Sequence, residues 1–177
     1  MMSVRVLFYN PFRAQDPVMF PNKMIASCDP YSTGNDSFCH TELQFRTGEA
    51  VSMYMGSGVV IHPQREFDLN KYTAVDLPCT LEQAIIARQH VDKLYESGSH
   101  FSMWAWLPLT SSMMSSNKTY CSKLVADILH TANIHHFQST SVSPSHLYHL
   151  LTQQTTNTSF AQHSDSKTVV LDFKTIP

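Results

Sequence analysis

A cysteine at the predicted start of an apolar helix is the residue of this chain best suited to chemistry. Cys121 lies in the stretch TYCSKLVADIL, residues 119–129. The apolar residues that follow it recur at the three- and four-residue spacing of one buried helical face: Leu124, Val125, Ile128, Leu129 and Ala132. Unpaired N–H groups and the positive end of the helix dipole favour a thiolate there and supply donors for an oxyanion. Cys121 is therefore a candidate nucleophile; the alternative is a small buried residue with a packing role.

A cysteine nucleophile needs a base, which is usually a histidine on a neighbouring element. Of the ten histidines, His40 is the best candidate, because it lies in FCHTELQF, residues 38–45, which predicts a strand near the middle of a sheet. A histidine at such a position can also be a hydrogen-bonded core residue. His62, at the end of a later predicted strand, is the alternative base.

Three residues are candidates for orienting His40. Glu42 shares its strand face and lies about 7 Å further along the strand. The strand that follows offers Ser52 and Tyr54, but no Glu, Asn or His. The sequence leaves all three open as the third member of a catalytic triad.

The remaining patterns predict an α+β fold with an antiparallel meander of strands packed against helices. Strand patterns occur at residues 3–9, 38–45, 50–56, 59–63 and 72–77. Residues 10–37 read as a long connection with one short strand at residues 24–26, and residues 152–167 as a polar loop before a closing strand at residues 168–173.

Two further helices have recognisable starts. Thr80 and Gln83 form a capping box, and Gly98 ends the helix that follows. Its predicted apolar stripe consists of Leu81, Ala84, Ile85, Val91, Leu94 and Tyr95. Ser143 and Pro144 are typical of the N-cap and the first position of another helix.

The composition is that of a globular protein without a strong electrostatic signature. The chain has 177 residues, 42% hydrophobic and 15% charged, with a formal net charge of -2, so no extended basic patch points to nucleic acid. This length predicts one domain over residues 1–177. With no signal-like segment, no transmembrane segment and no CxxC spacing among four cysteines, we expect a cytoplasmic protein with reduced thiols. The compact size, few glycines and many Ser, Thr, Met and His residues would suit a small viral or accessory protein.

A second pair of histidines raises the question of a metal site. His146 and His149 form an HxxH pair in SVSPSHLYHLL, which predicts that both lie on one helical face. This pair could bind zinc, but no Cys or Glu lies nearby at the spacing of a metal site. We therefore expect neither a metal nor another cofactor.

The ordered set of motifs resembles a known family. HTEL at residues 40–43, a strand ending in MYMGSGVVIH, a helix, CSKLVADIL and SVSPSHLYHLL are similar to the circularly permuted branch of the NlpC-type papain-like superfamily. In that branch the histidine strand precedes the cysteine helix, the reverse of papain's order. The resemblance covers roughly residues 3–151. It implies a half-barrel sheet against which the nucleophile helix packs, with Cys121 as nucleophile and His40 as base.

The resemblance also implies an activity, a cysteine hydrolase or acyltransferase that acts on amide, ester or thioester bonds. A thiol hydrolase that cleaves a peptide or amide bond through an acyl-enzyme is the leading expectation. A lipid-directed acyltransferase or thioesterase is the second, with the aromatic cluster of Phe101, Met103, Trp104 and Trp106 as a pocket wall instead of core. The third is a catalytically silent module of the same fold that binds a protein partner, because the strand after His40 has no acidic or amide residue.

Overall fold

A computed structural model of the chain describes residues 2–14, 20–54, 56–101 and 118–153. Its strands are β1 (Met2–Tyr9), β2 (His40–Gln44), β3 (Ala50–Met53), β4 (Val59–His62), β5 (Tyr72–Cys79), β6 (His100–Phe101) and β7 (Lys118–Thr119). Its helices are α1 (Phe20–Cys28), α2 (Leu81–Glu96), α3 (Cys121–Thr131) and α4 (residues 144–153). The predicted α+β class is confirmed.

The main sheet is open, antiparallel and five-stranded, in the order β4-β3-β2-β1-β5. The predicted meander of β2, β3 and β4 is confirmed, and its first turn uses Gly48 at a φ of 90°. Strand β1 lies between β2 and β5, with Val6 opposite Leu43 on one side and Val75 on the other. Strand β2, which begins at His40, is therefore the central strand.

The core lies between one face of this sheet and the helices. Helix α3 packs against β2, β3 and α2, and its apolar stripe is buried as the sequence predicts. On the sheet side it meets alternate residues of the central strands, among them Val6, Leu43 and Val51. Each such aliphatic side chain contributes about 1.5–3 kcal/mol when fully buried. The N-terminus of α3 is thereby held at a fixed place relative to β2.

Helix α1 occupies part of the stretch where the sequence predicts a connection with one short strand, and that prediction was wrong. Of the α1 side chains that the structure describes, Ala26 is buried and Asn22 and Ile25 are partly buried, and the buried Asp29 follows the helix at the same spacing. Because Asn22 and Asp29 are polar, this part of the sequence shows no apolar helical period.

Helix α2 begins and ends as predicted, but only half of its predicted apolar stripe faces the core. The Thr80–Gln83 capping box is complete, and Gly98 follows the helix with a φ of 65°. Leu81, Ile85 and Tyr95 of the predicted stripe are exposed. The apolar residues of α2 that are buried or packed against the core are Ala84, Ile86, Ala87, Val91 and Leu94. Ile86 and Ala87 therefore take the inward places that the sequence pattern gives to Leu81, Ile85 and Tyr95.

Some predictions fall on residues that the structure does not describe. These are the aromatic wall around Met103, Trp104 and Trp106, most of the predicted polar loop at residues 152–167, and the closing strand at residues 168–173.

Helix α4 begins at Pro144, and the Ser143 side chain accepts from the His146 N–H at 3.2 Å, which confirms the predicted cap. None of the described helices is both long and apolar enough to span a bilayer.

Candidate active site

Cys121 is the first residue of α3 and is 6% exposed. Tyr120 precedes it in an extended conformation, with φ -143° and ψ 169°, and offers the helix no side-chain cap. The first intrahelical bond joins the Leu124 N–H to the Tyr120 carbonyl, at 2.8 Å. The N–H groups before Leu124, including that of Cys121, have no intrahelical acceptor. They are available to a negatively charged oxygen at the place where the thiol lies.

The residues on both sides of Cys121 are bound to the segment that leads into α4. The Ser122 hydroxyl donates to the Val142 carbonyl at 2.6 Å, and the hydroxyls of Tyr120 and Ser141 lie 3.1 Å apart. Ser122 is fully buried, so this bond is shielded from water. The backbone around Cys121 is therefore held on both sides of the thiol.

Helix α4 also positions the chain that enters β2. The Ser145 N–H, in the first turn of α4, donates to the buried Asp29 carboxylate at 3.2 Å. The Ser145 hydroxyl in turn accepts from the Phe38 N–H at 3.1 Å, two residues before His40. The SVSPSHLYHLL motif thus contacts both the Cys121 helix and the His40 strand.

His40, the first residue of β2, lies near enough to Cys121 for the two side chains to interact electrostatically. Its Nε2 atom lies 2.8 Å from Ser52 Oγ and 3.6 Å from Glu42 Oε1. The Tyr54 ring stacks on the imidazole, with centroids 4.9 Å apart and an interplanar angle of 22°. Hydrogen bonding and stacking together restrict rotation of the ring.

Glu42 is a fully buried carboxylate beneath His40. Its Oε1 atom accepts from the Tyr54 hydroxyl at 3.3 Å and from the Tyr72 hydroxyl at 3.2 Å. Arg65 Nη1 lies 3.1 Å from the other oxygen, Oε2. Burial and the Glu42 charge raise the pKa of both tyrosines, so each hydroxyl keeps the proton that it donates.

The structure brings together every site residue that the sequence singles out. Cys121, His40, Glu42 and Ser52 form one connected group, and Tyr54 stacks on it. No sequence pattern pointed to Arg65 or Tyr72 as site residues. Arg65 lies in the connection after β4, and Tyr72 begins β5, which is separated from β2 by β1. Only the strand order places these two side chains at Glu42.

The charges around His40 favour its protonated form. Burial acts against the imidazolium, but the Cys121 thiolate and Glu42 outweigh it and raise the pKa of His40 from 6.5 to about 9. Burial and the Cys121 charge raise the pKa of the neighbouring Cys39 thiol, which keeps its proton. The arrangement is an imidazolium that can stabilise a thiolate and then donate a proton.

We expect His40 to titrate at about pH 9 instead of 6.5. Because this pKa lies above that of an unfolded chain, the imidazolium stabilises the fold fully below about pH 6.5, and that stabilisation is lost as the pH rises through about 9. Histidine side-chain NMR against pH measures the midpoint. In Cys121→Ala the midpoint should move to lower pH, because the thiolate is gone. A wild-type midpoint at or below pH 6.5 would contradict the charge arrangement.

The other histidine candidates make different contacts. His62 Nε2 lies 2.9 Å from Arg65 Nη1, so the alternative base is paired with a cation. The His146 ring stacks on Tyr31 at 3.8 Å, and His149 Nε2 lies 3.0 Å from the Tyr31 carbonyl. Within the described ranges, no group of three or more His, Cys, Asp or Glu residues could hold a metal ion.

The group around Cys121 can perform nucleophilic acyl chemistry. It combines a thiol at a helix N-terminus, a histidine that interacts with it electrostatically, and a hydroxyl and a carboxylate behind that histidine. Comparison with known proteins adds no relative from which to transfer a role. No family model, no curated protein and no solved structure matches this chain.

Proposed function

We propose that this protein is a cysteine hydrolase of the permuted NlpC-like, papain-like type, and that it cleaves peptide or amide bonds in the cytoplasm. One observation carries the proposal: Cys121 begins α3 and interacts electrostatically with His40, whose Nε2 lies 2.8 Å from Ser52 Oγ. The order of nucleophile, base and orienting group is that of a catalytic triad. The four cysteines are all free, which agrees with a reducing compartment.

In the proposed reaction the Cys121 thiolate attacks the substrate carbonyl carbon and forms a C–S bond. The negative charge on the carbonyl oxygen is stabilised by N–H groups at the start of α3. His40 donates its proton to the leaving amine as the C–N bond breaks, which leaves a thioester on Cys121. Water then gives a proton to His40 and attacks the thioester carbonyl. Breakage of the C–S bond releases the acid and restores the thiolate and imidazolium.

Ser52 and Glu42 would divide the third role between them. The Ser52 hydroxyl fixes the orientation of His40 through a direct hydrogen bond. Glu42 supplies the negative charge, at 3.6 Å from the same nitrogen, that favours the imidazolium. The pair would thus replace the single acidic or amide residue that the strand after the histidine lacks.

Iodoacetamide labelling at pH 7 tests the thiol directly. We expect Cys121 to react at least about tenfold faster than Cys28, because an ordinary thiol is only a few per cent thiolate at this pH. Cys28 is exposed and serves as an internal reference in the same sample. Mass spectrometry of the digested protein assigns the label to each site.

In His40→Ala the Cys121 rate should fall towards the Cys28 rate. Comparing the same thiol in two variants separates activation from accessibility. If Cys121 reacts no faster than Cys28, and His40→Ala changes nothing, the hydrolase proposal is wrong and the fold serves as a binding module for a protein partner.

The transfer of an acyl group to another acceptor is the remaining alternative. It shares every step up to the thioester on Cys121, so the described site fits it equally. A panel of peptide amides, long-chain esters and thioesters separates the two. Preference for a long acyl chain, with transfer to an added amine in place of hydrolysis, would assign the site to a lipid-directed acyltransferase.

A further inference from the structure

Arg65 is held in place by the strands that carry the site. Its backbone N–H donates to the Gly48 carbonyl at 3.0 Å, and its carbonyl accepts from the Gln44 side chain at 2.8 Å. Both partners belong to the β2–β3 hairpin. The connection after β4 is thus fixed where Arg65 can extend across the sheet face that carries His40 and Glu42.

The guanidinium lies where three groups around His40 meet. Arg65 Nη1 donates to the Tyr54 hydroxyl, lies 3.1 Å from Glu42 Oε2 and lies 2.9 Å from His62 Nε2. The guanidinium also faces the Phe67 ring, at 5.1 Å from its centroid. Within the described ranges, Glu42 Oε2 accepts no hydrogen bond of good geometry, so the charge of Arg65 is what compensates it.

We propose that Arg65 is a positioning residue that holds the buried Glu42 carboxylate and the Tyr54 ring in place, so that both keep their contacts with His40. This inference rests on the proposed function and extends it. Arg65 acts through Glu42 on one side, since Oε1 of the same carboxylate faces His40 Nε2. It acts through Tyr54 on the other, since the Tyr54 ring stacks on the imidazole.

The charge of Arg65 has a definite consequence for His40. A buried carboxylate without a counter-charge is costly in a low dielectric. Without Arg65 we therefore expect the Glu42 charge to leave its place beside His40 and to stop favouring the imidazolium. The groups that face His40 are Cys121 from α3, Glu42 from β2, Ser52 from β3, and Tyr54, which directly follows β3. Only Glu42 and Tyr54 among these contact Arg65.

The test compares Arg65→Gln with Arg65→Lys by the NMR titration of His40. Gln keeps a donor without the charge, and Lys keeps the charge. We expect the His40 midpoint to fall by about one pH unit or more in Arg65→Gln. A shift of this size is typical when a histidine loses the effect of a nearby negative charge, here that of Glu42. It should stay close to the wild-type value in Arg65→Lys. Unchanged midpoints in both variants would overturn the inference.

A double substitution shows whether Arg65 acts through Glu42. In a Glu42→Gln background, Arg65→Gln should move the His40 midpoint no further, because the carboxylate is already absent. This double variant leaves no unpaired buried charge, so it can be measured even if Arg65→Gln alone does not fold. A further shift of the midpoint in the double variant would refute the route through Glu42.

Arg88 provides a matched control. It also pairs with carboxylates, Glu49 and Asp92, but contacts none of the groups around His40. Arg88→Gln should therefore leave the His40 titration unchanged, and a shift there equal to that of Arg65→Gln would contradict a specific role of Arg65.

The His40 titration does not depend on turnover. An unreactive wild-type Cys121 would refute the hydrolase proposal alone, whereas a reactive Cys121 with unmoved midpoints would refute the role of Arg65 alone.

Discussion

We expect Cys121→Ala to abolish the proposed acyl transfer, and His40→Ala to slow it by about 10²–10⁴-fold. The first variant has no atom that can form the C–S bond. The second keeps the thiol and the N–H groups at the start of α3, but loses the group that stabilises the thiolate and protonates the leaving amine. Residual acylation in His40→Ala reflects oxyanion stabilisation and binding alone.

An activated thioester and intact-protein mass spectrometry measure this loss. The wild type should show a transient adduct of one acyl group, located on Cys121 after digestion. Cys79→Ala is the matched control, because Cys79 is another buried free thiol, at the end of β5 and outside the site. In the Cys79→Ala variant, Cys121 should be acylated at the wild-type rate. An adduct that persists in Cys121→Ala would place the nucleophile elsewhere.

The sequence predicts those parts of this site that depend on local residue patterns. The stripe from Leu124 to Leu129 defines α3 because every inward position is apolar, and it fixes Cys121 at the start of the helix. Strand alternation places His40 and Glu42 on one face of β2. Ser52 follows from the hairpin, whose register is set by Gly48 and the short turn.

The parts that the sequence does not predict depend on contacts between distant elements. Tyr72 reaches Glu42 because β1 lies between β2 and β5, an order that no local pattern encodes. Arg65 comes from an irregular connection, where no periodicity exists to place a side chain. Helix α1 was missed for a different reason: its inward side includes Asn22 and Asp29, so burial and hydrophobicity do not coincide there.

Glu42 connects the chemistry of the site to the stability of the fold. A fully buried carboxylate on a central strand is costly unless its charge and lone pairs are met. Here two tyrosine hydroxyls donate to Oε1 and the Arg65 guanidinium compensates the charge at Oε2, and all three groups come from outside β2. The same contacts that make the charge tolerable also bring β5 and the Arg65 connection against the central strand. Loss of the carboxylate should therefore destabilise contacts well beyond His40.

Replacing Glu42 with Ala should lower the free energy of unfolding by about 3 kcal/mol, the lower end of the range for breaking a buried ion pair. Arg65, whose side chain is 27% exposed, recovers part of its hydration, but the two tyrosine hydroxyls lose their acceptor. Urea denaturation at pH 7 measures the change. Glu49→Ala is the control: Glu49 and Arg88 are 21% and 33% exposed, and their pair should contribute about 1 kcal/mol or less. Equal losses in the two variants would mean that the buried charge at Glu42 is not held by Arg65 and the tyrosines.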